Sequence, residues 1–335
     1  MHVVRADSEN FQSSWKLLWN ATSIHYPLYG DCNLNYYQTY NSDKKFTDKS
    51  FVIEDEDGPI AGMCVTNFID RSGKTNFSAF GLPTLYIDNV NNNSSSKSWK
   101  LVKKEIQLLI ENTKSWHWQH NEILHDSDIS PVGRFFLSQG GQANIKWTQR
   151  IYLKHEEDDI FRSCTKGCRH AINWGKKNMN LHLLDASNIL QSDINKFRDL
   201  HIEVAGRESR NIQSWESQYQ MVMGGEAFLI FGFIDDILVT AALFSLSVDY
   251  CLYGVSASKR ELFGKPISHA LIWKAILHAQ NLGCEWFDMA GQSFKADMPT
   301  PSDKELSISS FKSGFGGKTS MLLNIETNSG NIYSV

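Results

Sequence analysis

The sequence predicts an α/β chain, more strictly α+β, in two halves, each a mixed, largely antiparallel sheet flanked by helices. Three observations predict it. Strand and helix patterns follow one another in a similar order in both halves, without a strict sequence repeat. Each half carries one late strand–helix–strand unit. The 335 residues, 41% hydrophobic and 21% charged, suffice for two cores of ordinary globular composition.

The first half opens with a short helix around Ser13 to Asn20, then a tyrosine-rich stretch from His25 to Tyr40. Phe51 to Glu54 and Ile60 to Phe68 read as strands joined by a turn at Asp57-Gly58. Asn91 to Ser98 reads as a polar loop. Apolar residues at Val102, Ile106, Leu109 and Ile110 mark one face of a helix over Lys100 to Thr113. Pro131 can open a further helix and Gly140-Gly141 close it. Ala143, Ile145, Trp147, Ile151 and Leu153 keep strand parity.

In the second half a basic helix is expected over Asp159 to Lys177 and a strand over Leu181 to Leu184. Helices follow over Ser192 to Glu203 and Ser214 to Met223. Ala227 to Ile234, Ile237 to Val248 and Tyr250 to Val255 read as strands. A long helix is expected from Pro266 to Leu282, stopped by Gly283. Glu285 to Met289 is a strand, Leu306 to Lys312 a short helix and Ser320 to Glu326 a last strand. A boundary between Tyr152 and Asp159 gives domains 1–155 and 156–335.

Formal net charge is −4, so no chain-wide basic field invites nucleic acid. No apolar run is long enough to span a bilayer. Met1 to Asp7 lacks the charged-then-apolar layout of a secretion signal, and a cytoplasmic location is expected. The six cysteines are scattered and read as reduced thiols. Cys164 and Cys168 sit one helical turn apart without further ligands at metal-binding spacing, so no metal is expected.

The chemistry concentrates between Tyr250 and Asp288, which reads strand, glycine-bearing loop, helix, strand. The loop is Lys259-Arg260-Glu261-Leu262-Phe263-Gly264-Lys265, and Pro266 can be the first helical residue. Free backbone N–H groups and the dipole at a helix start favour an anion. Gly264 lets a diphosphate approach the backbone, and Lys259, Arg260 and Lys265 add charge, with Ser268 just inside the helix. A basic loop before a surface helix is the other reading.

Strand, basic glycine loop and helix in this order resemble the acyl-CoA-binding core of the GNAT acyltransferases, whose loop is usually Gln/Arg-x-x-Gly-x-Gly/Ala. Here Arg260 stands one residue too early and Pro266 replaces the second small residue. Trp286-Phe287-Asp288-Met289-Ala290-Gly291 and Phe311-Lys312-Ser313-Gly314-Phe315-Gly316-Gly317 resemble a narrower group, the FemABX-like tandem-GNAT transferases. Those carry a yDlgG strand end and an FKxgFGg segment. The run from Arg162 to Arg169 is similar to their basic helix, and Arg162, Lys166 and Arg169 fall on neighbouring turns, a solvated face or a phosphate contact.

The resemblance implies two GNAT-like domains with a cleft between them and transfer of an acyl group to an amine. Some members use aminoacyl-tRNA on peptidoglycan precursors; others use coenzyme A thioesters on amino sugars, some nucleotide-linked. The expected substrates are therefore acyl-CoA and a nucleotide-linked amino sugar destined for a surface polysaccharide. The rivals are a tRNA-dependent aminoacyltransferase, against which the charge argues, and a non-catalytic sugar-nucleotide-binding protein. By the same resemblance Tyr253, Gly254 and Val255 occupy the strand bulge whose backbone N–H faces the thioester carbonyl, and Lys312 points to the reaction centre. Gly291, Phe311 and Phe315 are expected to contact the substrate at that centre.

A base is not singled out. Asp288 can accept a proton on a cleft or cap the Ala290-Gly291 turn. His201 can face the site or be structural. An amine can also lose its proton to water where the site mainly positions reactants. Arg207 and Arg210 are the expected acceptor-diphosphate ligands. Of the tyrosines between Tyr26 and Tyr40 most can be core, and Tyr36 and Tyr37 are the ones expected to stack on a base or sugar from the first domain.

Overall fold

A computed structural model describes residues 1–22, 25–89, 95–122, 128–262 and 264–330. Asn91 to Ser94 of the expected polar loop and Phe263 of the basic loop lie outside the described residues. In chain order the elements are β1 (His2–Arg5), α1 (Phe11–Ala21), α2 (Asp31–Tyr40), β2 (Thr47–Asp48), β3 (Phe51–Asp55), β4 (Gly58–Cys64), β5 (Thr66–Ile69), β6 (Thr75–Ser78), β7 (Thr84–Asp88), α3 (Ser95–Glu111), β8 (Trp116–Glu122), α4 (Pro131–Ser138) and β9 (Gln142–Tyr152). Then follow α5 (Glu157–Ser163), α6 (Lys166–Asn178), β10 (Asn180–Leu184), α7 (Gln191–Ala205), α8 (Ile212–Met223), β11 (Ala227–Ile234), β12 (Ile237–Leu246), β13 (Tyr250–Ser258), α9 (His269–Asn281), β14 (Trp286–Gln292), α10 (Asp303–Ser313) and β15 (Lys318–Asn328).

The expected basic helix over Asp159 to Lys177 is two helices. Thr165 leaves the helical conformation and its hydroxyl accepts from the Cys168 N–H at 3.3 Å, which starts α6 afresh. Cys164 and Cys168 therefore bracket a helix break; both are buried and unbridged. The long helix begins at His269, after Pro266, because Ile267 and Ser268 form a turn. Strand β8 was not expected. Its buried positions alternate, but they are Trp116, Trp118, His120 and Glu122, so polar residue types hide the period.

The chain forms two compact units and does not divide at residue 155. One comprises Met1–Ile24, Asn41–Lys146 and Met321–Val335; the other comprises His25–Tyr40 and Trp147–Ser320. The first unit has strands in the order β1-β3-β4-β7-β8-β15. Only β7 and β6 run parallel to β8. Val102 and Ile106 of α3 and Phe136 of α4 pack on one face. On the other face α1 lies so close that a Cβ at Gly62 would sit 2.7 Å from Leu18 Cδ2.

The second unit has the order β9-β14-β13-β12-β11-β10, antiparallel except for β13 with β14. Ile172 of α6 and Leu271, Ala275 and Ile276 of α9 cover one face. Gly175 lets α6 approach α9, since a Cβ there would meet Ala270 Cβ at 2.4 Å. Residues of α2, α7 and α8 cover the other face, with Tyr36, Phe197 and Trp215 in the core.

The tyrosine-rich segment belongs to this unit for a polar reason. Glu226 accepts from the N–H groups of Cys32 and Asn33 at 3.0 and 3.2 Å, placing a carboxylate on the free donors that open α2. Asn33, itself buried, accepts from Ser245 at 3.1 Å.

Candidate active site

The second unit's sheet has a defect where chemistry was expected. In the β12–β13 ladder Ala242 faces Ser256 and Phe244 faces Tyr253, so Leu243 stands opposite both Gly254 and Val255. The extra residue reverses side-chain parity. Cys251 and Tyr253 pack toward α6 and α9, whereas Val255 and Ala257 pack toward α7 and α8. Gly254 is exposed, and a Cβ there would lie 3.0 Å from the Leu243 carbonyl oxygen. Tyr253 stacks on Phe244 and donates to Ser256 at 2.9 Å.

Beside the bulge, β13 and β14 pair only from Tyr250/Trp286 to Leu252/Asp288. Both strands continue, to Ser258 and Gln292, without pairing to each other. This leaves a splayed gap between two parallel strands, rimmed by the bulge. β14 bends away through a bulge of its own, where the register skips from Asp288/Arg150 to Gly291/Thr148 and Ala290 takes φ 61°.

The basic loop after β13 is only partly free. Lys259 is bound to Glu203 of α7 at 2.8 Å, which raises its pKa and spends its charge. It is thus a poor phosphate ligand. Arg260, Gly264 and Lys265 are exposed, and a Cβ at Gly264 would meet open space. Ser268 is the N-cap of α9 with its side chain turned sideways, to Ser258 at 3.0 Å, which meets Thr240 at 2.8 Å. His269, which the motifs did not single out, follows it. Its ring stacks on Phe315 and meets Phe311 edge-on at a centroid distance of 4.9 Å; burial pushes its pKa down.

Asp288 does not open on a cleft. It is fully buried, accepting from Thr148, from Tyr250 Oη at 2.8 Å and from the Ala290 N–H at 2.7 Å. Burial raises its pKa against those donors and the nearby Arg150, and the Asp288 charge, after burial, lifts that of Tyr250. A carboxylate with three donors and no exposure is a strut that holds the β14 bend, not a solvent-facing base.

Lys312, near the end of α10, donates to the Gly291 carbonyl at 2.8 Å, on that bend. Burial lowers its pKa and the Asp288 charge raises it. The structure thus brings Lys312, Gly291, Phe311 and Phe315 together with the start of α9. Gly316 and Gly317 both take φ 80° and serve the fold: a Cβ would come within 2.4 Å of Ser163 Oγ and 2.3 Å of the Arg150 carbonyl oxygen, respectively. Sequence reasoning also missed Gln149, which is buried and donates to the Gly316 carbonyl at 2.5 Å.

The acceptor candidates form a second cluster in the same unit. Arg210 donates to Tyr36 Oη at 3.3 Å and to His201 Nε2 at 2.7 Å, and lies over the rings of Tyr40 and Trp215. That bond requires His201 to be neutral at Nε2, in keeping with a pKa lowered by burial and by Arg210. His201 is therefore committed as an acceptor and not poised as a base. Tyr37 stands edge-on to Tyr36 at 5.2 Å. Arg207 is exposed, on the turn after α7. Among the described residues no group of three or more His, Cys, Asp or Glu is placed to hold a metal ion.

No protein-family model matches the sequence, and no curated protein does. Solved structures do. FemX superimposes with a TM-score of 0.71 at 12% identity, covering 97% of each chain. L-PGS from Bacillus licheniformis gives 0.59 at 11%, covering 93% of this chain and 90% of that one. A tandem GNAT protein from the clavulanic acid biosynthesis pathway gives 0.53 at 10%, covering 100% and 99%. At these identities the likeness is one of architecture, and the chain has a FemABX-like tandem GNAT fold.

Proposed function

We propose that this chain is an N-acyltransferase that uses an acyl-CoA donor and a nucleotide-linked amino sugar acceptor. The observation that carries the reading is the splayed β13–β14 pair with the Gly254–Val255 bulge on its rim. A strand bulge frees a backbone N–H from the ladder, and a fixed N–H beside a gap between strands is what a thioester carbonyl needs as negative charge develops on its oxygen. The exposed Arg260 and Lys265 around the open Gly264 fit the diphosphate of CoA; the tied Lys259 does not contribute. When bound, CoA supplies an activated acyl group. Lys312 stabilises charge near the Gly291 bend. Asp288 keeps that bend in place. Arg210, held by His201 and Tyr36, presents a fixed guanidinium to the acceptor diphosphate. No side chain is assigned as base; the amine's proton leaves to water while the site positions the reactants.

A second reading is aminoacyl transfer from an activated ester. The extent of the likeness to FemX favours it. The bulge and Lys312 would serve either donor, so the donor must be tested directly. A thiol-release assay across CoA thioesters, with nucleotide amino sugars as acceptors, should show acceptor-dependent release. Arg210→Lys should raise the acceptor KM and leave the donor KM nearly unchanged. Acyl transfer from aminoacyl esters in the absence of any thiol release would reject the CoA donor in favour of the second reading.

A further inference from the structure

We infer that the first unit carries a separate binding site for a compact oligophosphate, a ligand with two or more condensed phosphate groups. A pocket of about 930 Å³ opens where β2, the β5–β6 hairpin and the residues following α3 meet. Five of its lining residues are cationic: Lys44, Lys45, Lys49, Arg71 and Lys114. Two are acidic, Asp43 and Asp70, so the lining carries a net +3 in a chain whose net charge is −4.

Asp70 does not pair with these cations. Asp70 is spent on its own turn, accepting from Ser72 Oγ at 2.6 Å, Asn76 Nδ2 at 2.9 Å and the Lys74 N–H at 3.1 Å. Led by the Ser72 bond, these donors hold its pKa down to about 2, and none of them is a cation of the pocket. Among the described residues no ion pair reaches any of the five cations. The amine of Lys44 meets a neutral partner, Asn41 Oδ1, at 2.9 Å. The end of α3 would oppose an anion through its free carbonyls. Asn112 and Thr113 answer this by donating to the Leu108 and Leu109 carbonyls at 2.7 and 2.8 Å.

Size and residue type choose the ligand. The volume suits a small molecule of roughly nucleotide size, since such sites run to about 1,000 Å³. One orthophosphate would leave most of it empty. Four of the five cations are lysines, mobile point charges that suit charge spread along a chain of phosphates. Phe68 adds one apolar wall, with Lys44 5.2 Å above its ring and Phe46 edge-on at 5.4 Å. A nucleoside triphosphate would use that wall and inorganic tripolyphosphate would not.

Calorimetric titration of the full chain at low salt tests this. Tripolyphosphate should bind at least about tenfold more tightly than orthophosphate and weaken as salt rises. The double substitution Lys49→Gln/Lys114→Gln should raise the tripolyphosphate Kd roughly tenfold or more, with an unchanged melting point, and Lys49→Arg/Lys114→Arg should restore it. If Phe68→Ala weakens only a nucleoside triphosphate, the natural ligand is a nucleotide; equal effects on both favour an inorganic chain. Wild-type tripolyphosphate affinity in the Gln variant, or orthophosphate binding as well as tripolyphosphate, would overturn the assignment.

Discussion

Lys312 shows how much a single residue's meaning depends on its neighbours. Its ammonium is half-buried and donates to the Gly291 carbonyl at 2.8 Å; burial lowers its pKa, and the Asp288 charge offsets part of that. In such a setting a cation acts on developing negative charge far more strongly than in bulk water. Lys312→Met keeps most of the apolar stem and removes the charge. A kcat loss on the order of 10²-fold is expected, the scale of losing one oxyanion donor, with donor binding little changed. Steady-state kinetics on the folded variant check it; wild-type kcat would reduce Lys312 to a clasp on the β14 bend. Its companion Asp288 was read in the sequence either as a base on a cleft or as a cap of the Ala290-Gly291 turn, and the Ala290 N–H donating to it at 2.7 Å bears out the cap. Thr148 and Tyr250, which saturate it, lie far off in the chain, and only folding reveals that it has no exposed face.

At the scale of elements, legibility followed periodicity. Helices with an apolar stripe, such as α3 with Val102 and Ile106 at zero exposure, are readable, and so are apolar strands such as β11 and β12. Strand β8 was not, because His120 and Glu122 occupy inward positions and satisfy each other at 2.9 Å. The start of α6 depended on a cap inside what reads as one basic run. The placement of α2 was the least readable, since it rests on Glu226, whose carboxylate closes on Cys32 and Asn33 from a distant strand edge. That contact makes a prediction. Glu226→Ala leaves the donors at the start of α2 without their acceptor and should destabilise the fold by about 1–3 kcal/mol. Cys32 provides a second readout. Burial, and then Glu226, pushes its thiol pKa up to about 11. Loss of the carboxylate should speed its alkylation near pH 8, while the buried cysteines stay slow. Unaltered urea unfolding and unaltered Cys32 reactivity together would show that α2 docks by its apolar face alone.

Across the whole molecule, the two units treat their parallel strands differently. In the first, pairing with β8 runs from Thr75/Trp116 through Thr84/His120 to Leu85/Asn121, nearly its full length. In the second, β13 and β14 part after Leu252/Asp288. The proposed acyl donor, which needs a gap between strands, is assigned to the second unit for that reason. That unit also contains three histidines whose neutral forms the fold favours. Burial lowers the pKa of His201, with Arg210 adding to it. Burial lowers His269 against the Pro266 carbonyl, and His278 against Asp185, with Lys274 assisting burial. Each folded pKa lies below the unfolded value near 6.5. Between the two values the unfolded chain binds more protons, so stability rises with pH across that window and is lost as pH falls from about 6.5 through the folded pKa values. The melting temperature should thus drop between pH 7.5 and 5.5. His278→Gln should flatten that slope: His278 meets the Phe228 ring at 4.6 Å but takes no part in the proposed chemistry. A melting temperature that is flat across this range, or a slope unchanged by the substitution, would mean that these imidazoles reach water when charged. The expected drop would also constrain Arg210. Protonating His201 removes the acceptor that holds the guanidinium, so acceptor KM should rise over the same acid window, while donor KM, assigned to the Gly254–Val255 bulge and the Gly264 loop, should not follow it.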